Sequence, residues 1–225
     1  MFQPSLLDLE FPGASLGPLA GQVTRHPLSH GAWVDHLPGW VRGSDELLPV
    51  LLDEVPWRAE RRQMYDNEVD VPRLLSWFGP GATLPHPLLT AAREALTAHY
   101  ADELGEPFVT AGLCLYRTGR DSVAWHGDTH GRSAHVDTMV AIVSFGSPRP
   151  LLLRPRGGGD RGRRPERGLR RPSPPIEHSL RFPLGHGDLI VMGGSCQRTW
   201  EHAVPKTARP VGPRVSVQFR PIGVA

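Results

Sequence analysis

RVSVQFR, residues 214–220, alternates without a break: Arg214, Ser216, Gln218 and Arg220 share one face of an extended chain, and Val215, Val217 and Phe219 share the other. A half-buried strand with this pattern aims two guanidiniums into a single cavity. Two arginines facing inward need an anion, and guanidinium binds carboxylate in a bidentate, charge-assisted manner. The competing reading is a surface strand whose two arginines are solvated.

Seven more β-type runs lie N-terminal to this strand: residues 108–117, 121–126, 139–145, 151–154, 178–182, 189–192 and 199–204. Short strands split by Gly, Pro and charged turns predict a mainly β fold of the sandwich or jelly-roll type. Flanking helices are also expected. Leu88, Leu89, Ala92, Leu96 and His99 recur at helical spacing across residues 85–104, and a shorter helix is expected over residues 44–54, starting at a Ser44 cap. The first 80 residues are rich in Pro, Trp and short apolar groups and read as a covering segment. The expected division is therefore residues 1–80 as an N-terminal extension and substrate lid packed on a core of residues 81–225.

One stretch stands apart. Between Arg149 and Arg171 there are nine arginines against Asp160 and Glu166, with five glycines and three prolines. This composition predicts a mobile basic loop, assigned to residues 155–175, which is either a solvated insertion or a phosphate-contacting segment.

At 225 residues and 39% hydrophobic composition the chain can build one sizeable core. Its formal charge of +2 rules out a polycation, so affinity for nucleic acid must come from uneven placement of charge. The basic side chains are almost all arginine, Lys206 being the one lysine. Cys114 and Cys196 are too few for a disulfide framework or a four-cysteine zinc site, and fit a reducing cytoplasm. The opening MFQPSLLDLEFPGA lacks the basic and apolar regions of a signal peptide, and no run approaches the roughly 18 to 20 apolar residues of a membrane span. A soluble, unprocessed, cytoplasmic monomer is expected.

Three His-x-Asp triplets are present, at His126 and Asp128, His135 and Asp137, and His186 and Asp188. Two histidines and one carboxylate hold a metal while leaving three positions open, which suits iron that must bind a two-atom chelator and oxygen. His126 and Asp128 close the run DSVAWHGD, where residues i and i+2 share a face. His186 and Asp188 sit between Gly185 and Leu189 in a turn-like setting, and His135 and Asp137 in a polar linker are the rival to the first pair. His202, in RTWEHAVP twelve residues before Arg214, is the candidate for the distant histidine.

These motifs resemble those of the AlkB family of Fe(II)- and 2-oxoglutarate-dependent dioxygenases, which repair alkylated nucleic-acid bases. YRTGRDSVAWHGD, LGHGDLIVMGGSCQRTWEHAVPK and PRVSVQFRP are similar to that family's core in order and spacing, over about residues 70–221. The resemblance implies a double-stranded β-helix (jelly-roll) core in which His126, Asp128 and His202 bind Fe(II) and act as the catalytic centre. It implies that Tyr116 and Arg214, with Ser216, bind 2-oxoglutarate, and that Arg220 lies near its keto-acid end. It decides between His126 and His135 in favour of His126. The chain departs from the family at Cys114, where an Asn is common, at His130, where an acidic residue reads the base, and in the short FGPGATL segment of residues 78–84. With that segment short, residues 63–67 are the other source of a substrate lid.

The implied reaction consumes O2 and 2-oxoglutarate, releases succinate and CO2, and hydroxylates an N-methyl carbon, after which formaldehyde leaves the repaired base. Ring-nitrogen methylation, as in 1-methyladenine or 3-methylcytosine, makes the base cationic, and aromatic faces attract it. Tyr65, Trp77 and Trp125 are the candidates, with His130 at the base-reading position. Alkylated DNA or RNA is the expected partner, single-stranded or damaged, because flipping is then cheapest. The alternatives are a hydroxylase of a protein or small molecule on the same scaffold, a jelly-roll binding module without catalytic metal, and a zinc hydrolase, which gives paired inward arginines no role.

Overall fold

The computed structural model describes residues 13–64, 67–128, 131–157 and 176–224. In chain order, β1 (Ser15–Leu16), β2 (Thr24–Pro27), β3 (Ala32–Leu37) and β4 (Val41–Arg42) precede α1 (Leu47–Glu54). Next come β5 (Arg58–Met64), β6 (Asn67–Phe78), α2 (Pro87–His99) and α3 (Ala101–Leu104). The remainder is β7 (Thr110–Tyr116), β8 (Val123–His126), β9 (Val140–Gly146), β10 (Arg149–Pro155), β11 (Leu180–Leu184), β12 (Leu189–Gly194), α4 (Cys196–Thr199), β13 (Trp200–Val204) and β14 (Arg214–Arg220).

Two antiparallel sheets face each other as in a jelly roll. The larger has eight strands in the order β2-β3-β12-β9-β14-β7-β6-β5, and the smaller has four in the order β11-β10-β13-β8. β14 lies at the middle of the larger sheet, paired with β7 along its whole length and with β9 along most of it. Its two faces separate two apolar layers. Val215, Val217 and Phe219 join Leu113, Leu115, Val143 and Phe145 in a layer closed by Leu47 and Leu51 of α1 and Leu88, Leu89 and Leu96 of α2. The opposite face looks at the smaller sheet, where Leu151, Leu153, Phe182, Leu184 and Trp200 pack against Cys114, Tyr116 and Ile142. Each fully buried aliphatic side chain contributes about 1.5–3 kcal/mol, so these layers hold the sheets apart at a fixed spacing.

α2 begins at His86, whose Nδ1 accepts from the Leu88 N–H at 3.1 Å, with Pro87 at the first helical position, where its missing N–H does no harm. The single helix expected over residues 85–104 is two, because the chain leaves helical geometry at Tyr100. That side chain is buried, and its hydroxyl donates to Asp35 Oδ2 at 2.9 Å. The helix expected from Ser44 opens instead with a 3-10 turn at Ser44–Glu46, and α1 starts at Leu47 with no side-chain cap. Pro49 falls in its first turn, where no intrahelical donor is needed.

Two features of the chain's organisation stand beside the expected division at residue 80. The first 80 residues supply β2, β3, β5 and β6 to the larger sheet, so hydrogen bonding runs across the boundary placed at residue 80. The N-terminal part of the basic stretch is β10, which covers the β-type run expected at residues 151–154 and ends where the loop assigned to residues 155–175 begins. Arg149 opens β10 and is buried with Leu151 and Leu153 on the strand's inward face, so apolar alternation prevails over charge there. Most of the predicted loop, residues 158–175, lies outside the described residues.

Candidate active site

β8 and β13 are neighbours in the smaller sheet, with His126 opposite His202. Their ring centroids are 4.2 Å apart. Asp128 lies just past the end of β8, and its Oδ1 is 3.5 Å from His126 Nε2. The ligand atoms of His126, Asp128 and His202 all lie within 4.8 Å of one another, the one such group of metal-capable side chains among the described residues.

The backbone that delivers them is tightly constrained. Gly127, between the first two, has no room for a side chain: a Cβ there would lie 2.5 Å from the Gln197 carbonyl oxygen. The Asp128 N–H donates to Gln197 Oε1 at 3.4 Å, and the Ser133 hydroxyl donates to the Asp128 carbonyl. His126 Nδ1 is 2.9 Å from the Ala124 carbonyl, which takes the Nδ1 proton and leaves the Nε2 lone pair for a metal.

Charge around the triad favours metal binding. Burial opposes ionisation of the Asp128 carboxyl, but the Arg220 guanidinium, whose Nη2 is 3.3 Å from Oδ2, and the two imidazoles hold it well below the usual carboxylate range. Burial, reinforced by His126, pushes His202 down to about 3, which keeps its imidazole neutral, the form that coordinates.

The other two triplets go elsewhere. His186 and Asp188 make a turn: His186 Nδ1 accepts from the Gly146 N–H at 2.7 Å, and Asp188 accepts from Gly39 and Gly185 at 2.8 and 2.6 Å. His135 follows a 3-10 turn, and Asp137 pairs with Arg198.

From Arg220 a polar stripe runs back along the inward face of β14 to Arg214. Gln218 Nε2 donates to Ser216 Oγ at 2.6 Å, Arg214 Nη2 donates to Ser144 Oγ at 2.6 Å, and the Cys114 thiol is 3.7 Å from Gln218 Oε1. Tyr116, opposite Arg214 in the register, is buried, and its ring lies 5.2 Å from the Arg214 guanidinium carbon. Burial pushes the Tyr116 hydroxyl up to about 12, so it stays protonated and able to donate. Arg214 is buried, and its Nε and Nη1 have no partner among the described residues.

This donor set fits the group that the resemblance implies. Two imidazoles and a carboxylate suit an iron with open positions. A buried guanidinium with two idle N–H groups suits a carboxylate. Sequence reasoning missed three polar neighbours: Ser144, Arg149 and Arg73. Arg73 falls opposite Tyr116 by continuation of the β6 and β7 register, and its Nη1 donates to the Ser122 carbonyl at 3.3 Å. Only the pairing of strands remote in sequence brings these together.

Of the aromatic candidates, Trp77 stands over Gly112, where an added Cβ would meet Arg220 Nη1 at 2.8 Å and Trp77 Cε3 at 3.4 Å. It is 52% exposed, beside the metal end of the stripe. Trp125 is placed otherwise than expected: strand alternation turns it away from His126, and Arg154 lies 4.3 Å over its ring on the outer face. Tyr65 and His130 lie outside the described residues.

Residues 41–220 match the family model described as the 2OG-Fe(II) oxygenase superfamily. The chain belongs to that superfamily. Its members' reagents are Fe(II), 2-oxoglutarate and O2, and the His126, Asp128 and His202 cluster is the site in this chain that suits the iron. Among curated relatives, human alpha-ketoglutarate-dependent dioxygenase alkB homolog 3 is 28% identical over 201 residues, covering 82% of this chain and 64% of that protein. The DNA oxidative demethylase ALKBH2 of Mus musculus is 25% identical, covering 99% of this chain and 96% of that protein, and the one of Arabidopsis thaliana is 36% identical over 57% and 42%. The alkB homolog 3 relatives are longer: the chain spans about 64% of the human protein's length. Among solved structures, a Trichoplax adhaerens prolyl hydroxylase is similar with a TM-score of 0.57 and 10% identity over 87% of this chain and 84% of that one. A Pseudomonas putida prolyl-4-hydroxylase is similar with a TM-score of 0.53 and 17% identity over 87% and 95%. Both likenesses are of the fold. Among the described residues no helix is long and apolar enough to cross a membrane.

Proposed function

We propose that this superfamily member is an Fe(II)- and 2-oxoglutarate-dependent dioxygenase that removes alkyl groups from N-alkylated bases, such as 1-methyladenine and 3-methylcytosine, in DNA or RNA. The observation that carries the chemistry is the convergence of His126, Asp128 and His202 within 4.8 Å at one end of the arginine-bearing face of β14. The substrate class rests on the relatives named DNA oxidative demethylase, of which the mouse protein is matched over 96% of its length.

When bound, the iron and its cosubstrate supply the oxidation of an N-methyl carbon, with succinate, CO2 and formaldehyde as products. The chain's residues do the rest. His126, Asp128 and His202 hold the metal. Tyr116, Arg214 and Ser216 orient 2-oxoglutarate, and Arg220 fixes Asp128 from the side of the keto acid. Trp77 offers an open aromatic face to a flipped, cationic base. The β5 and β6 pair acts as the lid, the role expected of residues 63–67. The protein works as a monomer in the cytoplasm, on single strands or damaged duplex.

The test is to incubate Fe(II)-loaded protein and 2-oxoglutarate with a 3-methylcytosine oligonucleotide, as single-stranded DNA, duplex DNA and RNA. Mass spectrometry should show the loss of one methyl group, fastest in a single strand. Succinate formation with no methyl loss from any of the three would move the substrate to a protein or small molecule.

A further inference from the structure

Arg149 enters the interior from the smaller sheet, on the same strand face as Leu151 and Leu153, and is 2% exposed. Its guanidinium carbon lies 5.7 Å from the centre of the Tyr116 ring, which Arg214 approaches from the larger sheet to 5.2 Å. A single phenol ring thus has two buried cations beside it, one from each sheet, while Arg73, opposite it in the register, donates to the Ser122 carbonyl. Arg149 donates to three backbone carbonyls: Thr118 at 3.2 Å, Asp121 at 2.9 Å and Pro205 at 2.6 Å. Those bonds fix its head group without neutralising it. The nearby Asp121 carboxylate is engaged by Arg117 at 2.8 Å, and Arg149 Nε has no partner among the described residues. Burial lowers the pKa of both arginines, and for Arg149 the nearby Tyr116 and Asp121 oppose that shift without cancelling it.

We propose that Arg149 is a positioning residue for the cosubstrate: with Arg214 it makes the distal end of the pocket doubly cationic, so that 2-oxoglutarate is selected by its second carboxylate. This rests on the reading that Arg214 binds that carboxylate. Arg149 need not touch the ligand. It acts through its charge beside the Tyr116 ring, and its bonds to the Thr118, Asp121 and Pro205 carbonyls hold its own head group in place.

The test is a calorimetric titration of Mn(II)-loaded protein, without oxygen, using 2-oxoglutarate and 2-oxobutyrate, which chelates the metal alike but lacks the distal carboxylate. Arg149→Met should weaken 2-oxoglutarate roughly tenfold, as expected for one cation about 12 Å from the carboxylate at an effective dielectric near 20. It should leave 2-oxobutyrate within about twofold, and Arg149→Lys should recover most of the loss. Equal weakening of both acids, or of neither, overturns the proposal and leaves Arg149 a structural strut. Arg214→Met separates the two readings: if it weakens 2-oxoglutarate and Arg149→Met does not, Arg149 alone falls, and if it has no effect, the carboxylate site itself is elsewhere.

Discussion

At the scale of single residues, the site depends on side chains that are absent as much as on those present. Gly127 separates two metal ligands and lies where a Cβ would meet the Gln197 carbonyl at 2.5 Å. Gly127→Ala should therefore displace Asp128 and weaken Mn(II) binding by at least about tenfold, with far-UV circular dichroism unchanged, since displacements of an ångström are enough to disable such centres. The two tryptophans divide in the same way. If Trp77 stacks on the base, Trp77→Ala should lower kcat/KM on a methylated oligonucleotide by roughly 10- to 100-fold, the range expected for a lost stack. Trp125→Ala, which removes a ring held beneath Arg154 on the outer face, should change it by less than about threefold. Equal effects of the two substitutions would place the base elsewhere.

At the scale of elements, α2 shows how the site is supported from behind. Leu96 is fully buried in the layer that also holds Val215, Val217 and Phe219, the reverse face of the strand that presents Arg214 and Arg220. Leu96→Ala should cost about 2–5 kcal/mol in chemical denaturation, the usual range for such a truncation, while the Mn(II) affinity of the folded fraction stays the same. β14 was legible from residue 214 to 220 because its polar and apolar residues alternate strictly, and each side met a different environment. The short strands of the C-terminal half were found, to within a few residues at their ends, as apolar runs split by Gly, Pro and charged turns. β2, with the sequence TRHP, and β6, which contains Asp70, Pro72 and Arg73, carry no such pattern, and their strand character comes from neighbours remote in sequence. The triad was readable only as one of two surviving His-x-Asp pairs until family resemblance chose. What the sequence could not reveal was Arg149, because a run of arginines looks alike whether its first member is solvated or faces a tyrosine across two sheets.

At the scale of the whole molecule, burial of neutral histidine ties stability to pH. His202 takes up a proton near pH 6.5 when unfolded but only near 3 when folded, so between those values the unfolded chain binds more protons and stability falls as the pH is lowered. Burial lowers His36, His86 and His99 as well, which adds in the same direction. For the metal-free protein, His202→Gln should remove about 1.5 kcal/mol of the stability lost between pH 6.5 and pH 5, as read by urea denaturation at both values. An unchanged difference would mean that His202 is protonated in the fold. The central claim is that the triad and the β14 arginines couple cosubstrate oxidation to removal of an N-methyl group from a nucleic-acid base. Its most direct measurement is the ratio of formaldehyde to succinate released from a 3-methylcytosine oligonucleotide, with the unmethylated oligonucleotide and His126→Ala as controls. A ratio near one that collapses in both controls is the expected result; succinate formed at the same rate with and without the methyl group, and no formaldehyde, would contradict it.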